Sequence, residues 1–260
     1  MPATRLVTWN LNSVRQRLPR LLAMLGRHDP DVVCLQETKC RVETFPTAEV
    51  GRLGYLAAVH GTGRWNGVAI LSRVGLEDVR RGLDGEPGFP AVEARAVAAT
   101  CGGTRVHSLY VPNGRTPDSP HYAYKLAWLE SLRTTVAAEL SAYPELVTCG
   151  DMNVAPTDDD VWDPAAFVGA THVTQPERAR LAAVRNLGLR DVVPRPGKGP
   201  NPFTYWDYRA GMFHKDMGMR IDLVYASGPL AERVLDAWVD REARKGKAPS
   251  DHAPVVVDLA

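Results

Sequence analysis

Cysteine, lysine and long apolar runs are all scarce in this chain. Only four cysteines, Cys34, Cys40, Cys101 and Cys149, are spread over 260 residues, and no two stand in Cys-x-x-Cys spacing. That excludes a clustered zinc site and gives no sign of a disulfide framework. Cys34 and Cys149 fall in apolar runs expected to be core strands, where a reduced thiol behaves as a small hydrophobe. No stretch approaches the roughly 18 apolar residues that would cross a membrane. The N-terminus enters a strand-like segment with no basic-then-apolar export signal before it. The expectation is a soluble cytoplasmic protein with no membrane partner. Lysines number 6 against 25 arginines, and the formal net charge is +1. Such a balance neither demands nor excludes a polyanionic partner, since a local basic face can coexist with an acidic pocket. The clusters Arg178/Arg180/Arg185 and Arg244/Lys245/Lys247 read as solvated faces.

The length allows a full core, and no linker or internal repeat is visible. Pro and Gly gather at residues 82–90 and 194–202, but strand-like runs continue on both sides, so these are surface loops of a single domain spanning 1–260. Leu18–Leu25 reads as a helix with Pro19 in its first turn. Tyr122, Leu126, Leu129, Leu132, Val136 and Leu140 mark a long amphipathic helix. A third helix starts at Thr174, where Thr174-Gln175-Pro176-Glu177 fits a capping box, and ends before Gly188. Strands are expected at Leu6–Trp9, Val32–Gln36, Val68–Ser72, Ala91–Ala98, Arg105–Val111, Leu146–Cys149, Ile221–Ala226, Leu235–Val239 and Val255–Leu259. Several follow one another without a helix, so the class is α/β or α+β with a sheet that need not be all parallel.

What is abundant is polarity at strand ends. Asp151 and Asn153, two residues apart after the run Leu146–Cys149, leave a strand on the same face. They form either an Asp-Asn turn or part of a site. Glu37 ends the run from Asp31, Asn10 and Asn12 end the first strand, and Asp222 lies inside an apolar strand, where it needs a partner such as an imidazole. His252 follows Asp251 just before Val255–Val257. The other histidines, His28, His60, His107, His121, His172 and His214, read as exposed loop residues. Asp158-Asp159-Asp160 reads as a solvated loop.

Taken in order, Thr8-Trp9-Asn10, Leu35-Gln36-Glu37-Thr38-Lys39, Leu109-Tyr110-Val111-Pro112-Asn113-Gly114, Gly150-Asp151-Met152-Asn153, Arg220-Ile221-Asp222 and Ser250-Asp251-His252-Ala253-Pro254 resemble the exonuclease III family of apurinic/apyrimidinic endonucleases, bacterial type, within the DNase I-like endonuclease/exonuclease/phosphatase superfamily. The resemblance covers Leu6 to Leu259. It implies a four-layered sandwich of two packed mixed sheets flanked by helices. It also implies a magnesium-dependent phosphodiesterase, with manganese as an alternative, that cuts DNA 5′ to abasic sites and trims 3′ ends. Glu37 is then the chief metal ligand, with Asn10, Asp251 and Asp151 beside it, the hard oxygen donors that suit magnesium. Asp151 activates the attacking water, Asn153 orients it or the phosphate, and His252, fixed by Asp222, donates to a phosphate oxygen. Tyr110 points its hydroxyl at the phosphate; the residue-level alternative is a core tyrosine. The DNase I and sphingomyelinase branches characteristically carry histidine there, which separates this chain from RNA or phosphoinositide phosphodiesterases. An inactive DNA-binding relative is the remaining alternative.

The implied substrate contacts are Asn12, Asn113 and Arg115, with Tyr205, Trp206, Met219 and Ile221 as the wall of a small apolar pocket for a sugar that has lost its base. The alternative for Tyr205 and Trp206 is core packing. Some relatives carry Asp where Asn12 stands, which removes a carboxylate that a second metal would use. The segment Val161–Val173 matches no family element and is expected to be a DNA-facing loop. The implied partner is double-stranded DNA with abasic sites or blocked 3′ ends, bound by a monomer at the nucleoid.

Overall fold

Side chains along β1 (Thr4–Asn10) alternate between two apolar environments, Leu6 entering one cluster while Val7 and Trp9 enter another. In β2 (Val32–Gln36) the same division holds, with Val32 and Cys34 beside Leu6 and with Val33 and Leu35 beside Trp9. Strands buried on both faces read as unbroken apolar runs, which is why these segments were legible. The structure, a computed structural model, describes residues 4–260, so the first three residues of the expected domain lie outside the described ones. The remaining strands are β3 (Leu56–His60), β4 (Val68–Ser72), β5 (Glu77–Arg81), β6 (Ala96–Cys101), β7 (Thr104–Tyr110), β8 (Leu146–Asp151), β9 (Leu189–Asp191), β10 (Asp222–Ser227), β11 (Val234–Val239) and β12 (Val255–Leu259). Helices are α1 (Val14–His28), α2 (Thr47–Gly51), α3 (Pro120–Glu139), α4 (Gln175–Arg185), α5 (Met212–Lys215) and α6 (Gly228–Ala231).

One six-stranded sheet runs β11-β12-β1-β2-β4-β3 and the other β5-β6-β7-β8-β10-β9. The pairs β1/β2 and β7/β8 are parallel, while β12 lies antiparallel to β1 and β10 antiparallel to β8. A core built from both sheets, including Leu6, Cys34, Ile70, Val97, Val106, Cys149 and Val224, fills the space between them. Outside it, Leu21, Met24 and Leu25 of α1 cover Val7, Trp9 and Leu35, and Trp128, Leu132, Leu181 and Val184 of α3 and α4 cover Leu109, Leu223 and Tyr225. This is the expected four-layered sandwich. Each such side chain, once buried, contributes about 1.5–3 kcal/mol. All four cysteines are buried and free. Among the described residues no helix is long and apolar enough to cross a membrane.

Local corrections have local causes. Helix α1 starts at Val14, earlier than expected, because the Ser13 side chain accepts from the Gln16 amide, and Pro19 lies inside it. The Thr174–Glu177 capping box of α4 is formed on both sides. Strand β6 begins at Ala96, not Ala91, since the Phe89 amide donates to Ala91 O in a turn before it. The unexpected strands β3, β5 and β9 all lie at sheet edges, where one side lacks a pairing neighbour and charge is tolerated, as in Glu77-Asp78-Val79-Arg80-Arg81.

Gly150 lets the two parallel strands meet. It stands opposite Leu109 at φ 139, and a Cβ there would lie 2.0 Å from Leu109 O. Gly150→Ala should therefore destabilise the fold by about 2 kcal/mol or more, read as a lower Tm in calorimetry; an unchanged Tm would mean that the strand pair opens freely to admit a methyl group.

Candidate active site

The inward-facing positions that carry Leu6, Cys34, Val106, Cys149 and Val224 become polar toward one end of the sandwich. Below the rim, Gln36 Nε2 donates to Thr8 Oγ1 and Ser108 Oγ, both at 3.1 Å, and ties the two sheets together. One step further along the same faces stand Asn10 of β1, Tyr110 of β7 and Asp151 of β8, with Asp222 opening β10. Because β10 and β12 run antiparallel to their neighbours, their starts lie beside the ends of β8 and β1, bringing Asp222, Asp251 and His252 to the same rim.

There the acids crowd one imidazole. His252 Nδ1 lies 2.8 Å from Asp222 Oδ2, and Nε2 lies 3.8 Å from Asp151 Oδ2. Burial by itself would lower the His252 pKa, but Asp222 and Asp151 outweigh it and raise it to about 10, so the ring is an imidazolium at neutral pH. Asp151 accepts from the Asn153 amide and from Asn10 Nδ2, each at 2.9 Å. Burial, helped by Asp222 and Glu37, lifts its pKa to about 7 against the opposing pull of His252. Asn10 Nδ2 also donates to Glu37 Oε1 at 2.9 Å, and Lys39 Nζ lies 2.7 Å from Glu37 Oε2. Burial first, and then the charge of Glu37, hold the Tyr110 phenol well above its usual pKa, leaving it a neutral donor; Arg95 stacks on its ring at 4.6 Å.

A cavity of about 130 Å³ is lined by Glu37, Tyr110, Asn113, Asp151, Asn153, His172, Tyr205, Met219, Ile221, Asp251 and His252. Asn153, at φ 50, donates through Nδ2 to Val111 O at 2.9 Å and accepts from Asn113 Nδ2 at 3.2 Å. Asp251 faces the cavity and is held by Asn12 Nδ2 at 3.0 Å. Asn12 itself lies behind it, accepting from Lys39. Arg115 is exposed, and its main-chain amide supports Asn113 Oδ1.

Trp206 is a correction. Residues 204–206 run extended between Met219 and the 251–253 segment, with Tyr205 bridged to both Met219 and His252. Consecutive side chains of an extended segment point to opposite sides. Tyr205 therefore faces the cavity, its ring centroid 4.9 Å from that of His252, while Trp206 is 1% exposed in a cluster with Phe203, Val239 and Ala253.

Several residues expected to be solvated are not. Asp160 is buried, closing a turn on Thr157 and pairing with Arg220 Nε at 2.6 Å. Arg244 is buried between the Tyr208 and Phe213 rings and donates to Trp206 O. His107, in β7, is buried against Glu139 at 2.8 Å, and His28 meets Asp240 at 2.8 Å. Within the unplaced loop Val161–Val173, His172 is a cavity wall: Nδ1 lies 2.5 Å from Asn153 O, and Nε2 lies 3.4 Å from Asn113 Nδ2. Burial, with Lys125 nearby, lowers its pKa to about 4, so the ring is neutral, donating from Nδ1 and accepting at Nε2. No motif announced His172; the one local signal was the adjoining capping box, whose Glu177 also accepts from the His172 amide at 3.0 Å.

Donor atoms of Glu37, Asp151 and His252 lie within 4.8 Å of one another, a spacing that could hold a cation. An imidazolium has no free lone pair, so the ligands fall to the Glu37 and Asp151 carboxylates, a hard-oxygen set that fits a hard divalent ion.

Residues 7–252 match the family described as Endonuclease/Exonuclease/phosphatase. The chain belongs to that family. Exodeoxyribonuclease III of Haemophilus influenzae is 29% identical over 96% of this chain and 98% of its own length. A Neisseria 3′ phosphatase solved with a product DNA hairpin is 36% identical with a TM-score of 0.94, covering 99% of each chain. An AP endonuclease from Archaeoglobus fulgidus is 37% identical with a TM-score of 0.92, covering 98% of this chain and 99% of that one. Within the endonuclease/exonuclease/phosphatase family the chain thus groups with metal-dependent DNA repair nucleases of the exonuclease III type.

For this family member the Asp222–His252 pair should act as one unit. Changing either residue to Asn should slow single-turnover cleavage strongly, and the double variant should be little worse than the poorer single; additive losses would show that the two work independently. The aromatic neighbours should part company. Trp206→Ala should cost about 3–5 kcal/mol of stability, whereas Tyr205→Ala should cost mainly cleavage of abasic duplex, more than removal of nucleotides from an undamaged 3′ end. Equal losses on both substrates for Tyr205→Ala, with Tm unchanged, would remove Tyr205 from substrate selection.

Proposed function

We propose that this chain is a magnesium-dependent DNA repair phosphodiesterase that cuts double-stranded DNA 5′ to abasic sites, leaving a 3′-hydroxyl and a 5′-deoxyribose phosphate, and that trims blocked 3′ ends. The observation that carries this reading is the Asp222–His252–Asp151 array beside Glu37, of which His252, Asp151 and Glu37 line a cavity of only about 130 Å³. Pockets that enclose drug-sized ligands run to roughly 300–1,000 Å³, so the space suits a sugar without its base better than a whole nucleotide. Extrusion is also cheapest where pairing and stacking are already lost.

In the mechanism, Glu37 and Asp151 would hold the divalent ion, with Asn10 and Asp251 beside them. When bound, the ion offsets charge on the phosphate and lowers the pKa of a coordinated water. Asp151 is the proton acceptor for the attacking water, oriented by Asn153. The water oxygen forms a bond to phosphorus as the bond from phosphorus to the 3′-oxygen opposite it breaks, and the departing 3′-oxygen takes up a proton from solvent. The His252 imidazolium, its orientation set by Asp222, and the neutral Tyr110 hydroxyl donate to the non-bridging oxygens as their charge grows. Asn113 contacts the backbone, and Tyr205, Met219 and Ile221 exclude a base.

An abasic oligonucleotide duplex incubated with magnesium should be cut on the 5′ side, and chelation should abolish cutting. Glu37→Gln should lower the rate and raise the magnesium required, because an amide is a weaker ligand. Magnesium dependence identical to wild type would take Glu37 out of the ligand set, and an intact abasic duplex under all conditions would refute the function.

A further inference from the structure

Two ionisable side chains that do not face the cavity are buried directly behind it. Lys125 of α3 and Glu177 of α4 form an ion pair in which neither side chain has any exposure. The Lys125 ammonium also donates to the main-chain oxygens of Asn153 at 2.7 Å and Asn113 at 3.1 Å, and lies 3.3 Å from Thr171 Oγ1. Glu177 is equally committed: one oxygen accepts from Thr171 Oγ1 at 2.6 Å and the His172 amide at 3.0 Å, and the other closes the capping box on Thr174.

Stability gives a weak reason for such a pair, since a buried ion pair is often no better than an apolar pair of the same volume. What sets this one apart is what its remaining hydrogen bonds hold. Asn113 follows β7, Asn153 follows β8, and Thr171 and His172 precede α4, so three separate loops meet on one pair of charges. Each of these loops presents a side chain to the cavity, namely Asn113, Asn153 and His172. Asn153 is moreover in the left-handed region at φ 50, which asparagine adopts more readily than most residues. The fit is tight, for a Cβ on Gly114 would lie 3.0 Å from Lys125 Cδ and from Thr171 Oγ1.

We propose that the Lys125–Glu177 pair is a positioning device for the reaction, fixing Asn153, Asn113 and His172 at the reacting phosphate without itself touching substrate. The inference rests on the phosphodiesterase reading above. Lys125→Met/Glu177→Leu removes both charges and leaves no lone buried ion. With saturating abasic duplex in single turnover it should cut about 10²-fold more slowly. The DNA concentration giving half-maximal rate should move by less than about threefold, and Tm should fall only by the few degrees that loss of the helix cap costs. In an Asn153→Ala background the same two changes should cost far less, because their effect runs mainly through that residue. A wild-type rate in the double variant, or its full loss repeated in the Asn153→Ala background, overturns the proposal. If the double variant does not fold, Glu177→Gln, which preserves the capping box, carries the same comparison. A wild-type protein inert on abasic and 3′-phosphate DNA would refute the phosphodiesterase reading instead. The side-chain amide resonances of Asn153 then decide the inference: they should shift and broaden when the pair is altered, and unchanged signals would overturn it.

Discussion

The rim of this sandwich is organised around one buried imidazolium, His252, set between Asp222 and Asp151. Glu37, Asp151 and Asp222 converge where water is largely excluded, and like charges so close would be strongly unfavourable without a cation among them. His252 supplies that cation, and the divalent ion expected of the family would supply more. The pair at 2.8 Å fixes which nitrogen faces Asp222, and that leaves the other directed toward Asp151 and the cavity. Burial, with Asp222 and Glu37 close by, raises the Asp151 pKa, and a cation held between Glu37 and Asp151 would draw it back down.

The layers make this convergence possible. Strands β1 and β7 end, and β10 and β12 begin, on the same side, so residues distant in sequence share one rim. Below it the Thr8–Gln36–Ser108 hydrogen bonds join the sheets across an otherwise apolar core, and Gly150 allows β7 and β8 to close. Trp9 Nε1 donates to His252 O at 3.1 Å and Ser250 Oγ to Asn10 O at 2.7 Å, so the first strand and the last loop locate each other directly.

Around the rim, buried ion pairs anchor the loops that complete it. Arg220, immediately before Ile221 and Asp222, binds Asp160 at 2.6 Å and Asp191 at 2.9 Å, tying β10 to the loop after β8 and to β9. Lys125 and Glu177 do the same for the Asn113, Asn153 and His172 loops. In each case a charge that local sequence would assign to solvent is enclosed because a partner far along the chain meets it, and the desolvation cost is offset by several hydrogen bonds at once.

The sequence by itself determined the elements whose signal is local. Val32–Gln36, the face of α3 and the Thr174–Glu177 cap were legible because periodicity and capping act within a few residues. Glu37 and Asp151 were legible as polarity at strand ends, Asp222 as an acid inside an apolar strand with His252 as its partner, and Tyr110 only through the family order of the motifs. The edge strands β3, β5 and β9 were not, because only one neighbour defines each. Tertiary structure alone decided that His172 and not Trp206 faces the cavity, that Asp160 and Arg244 are buried, and that Lys125 and Glu177 stand behind three loops. Those outcomes depend on which distant segment covers a residue and on which side of an extended backbone it falls, and neither is encoded in the residues next to it.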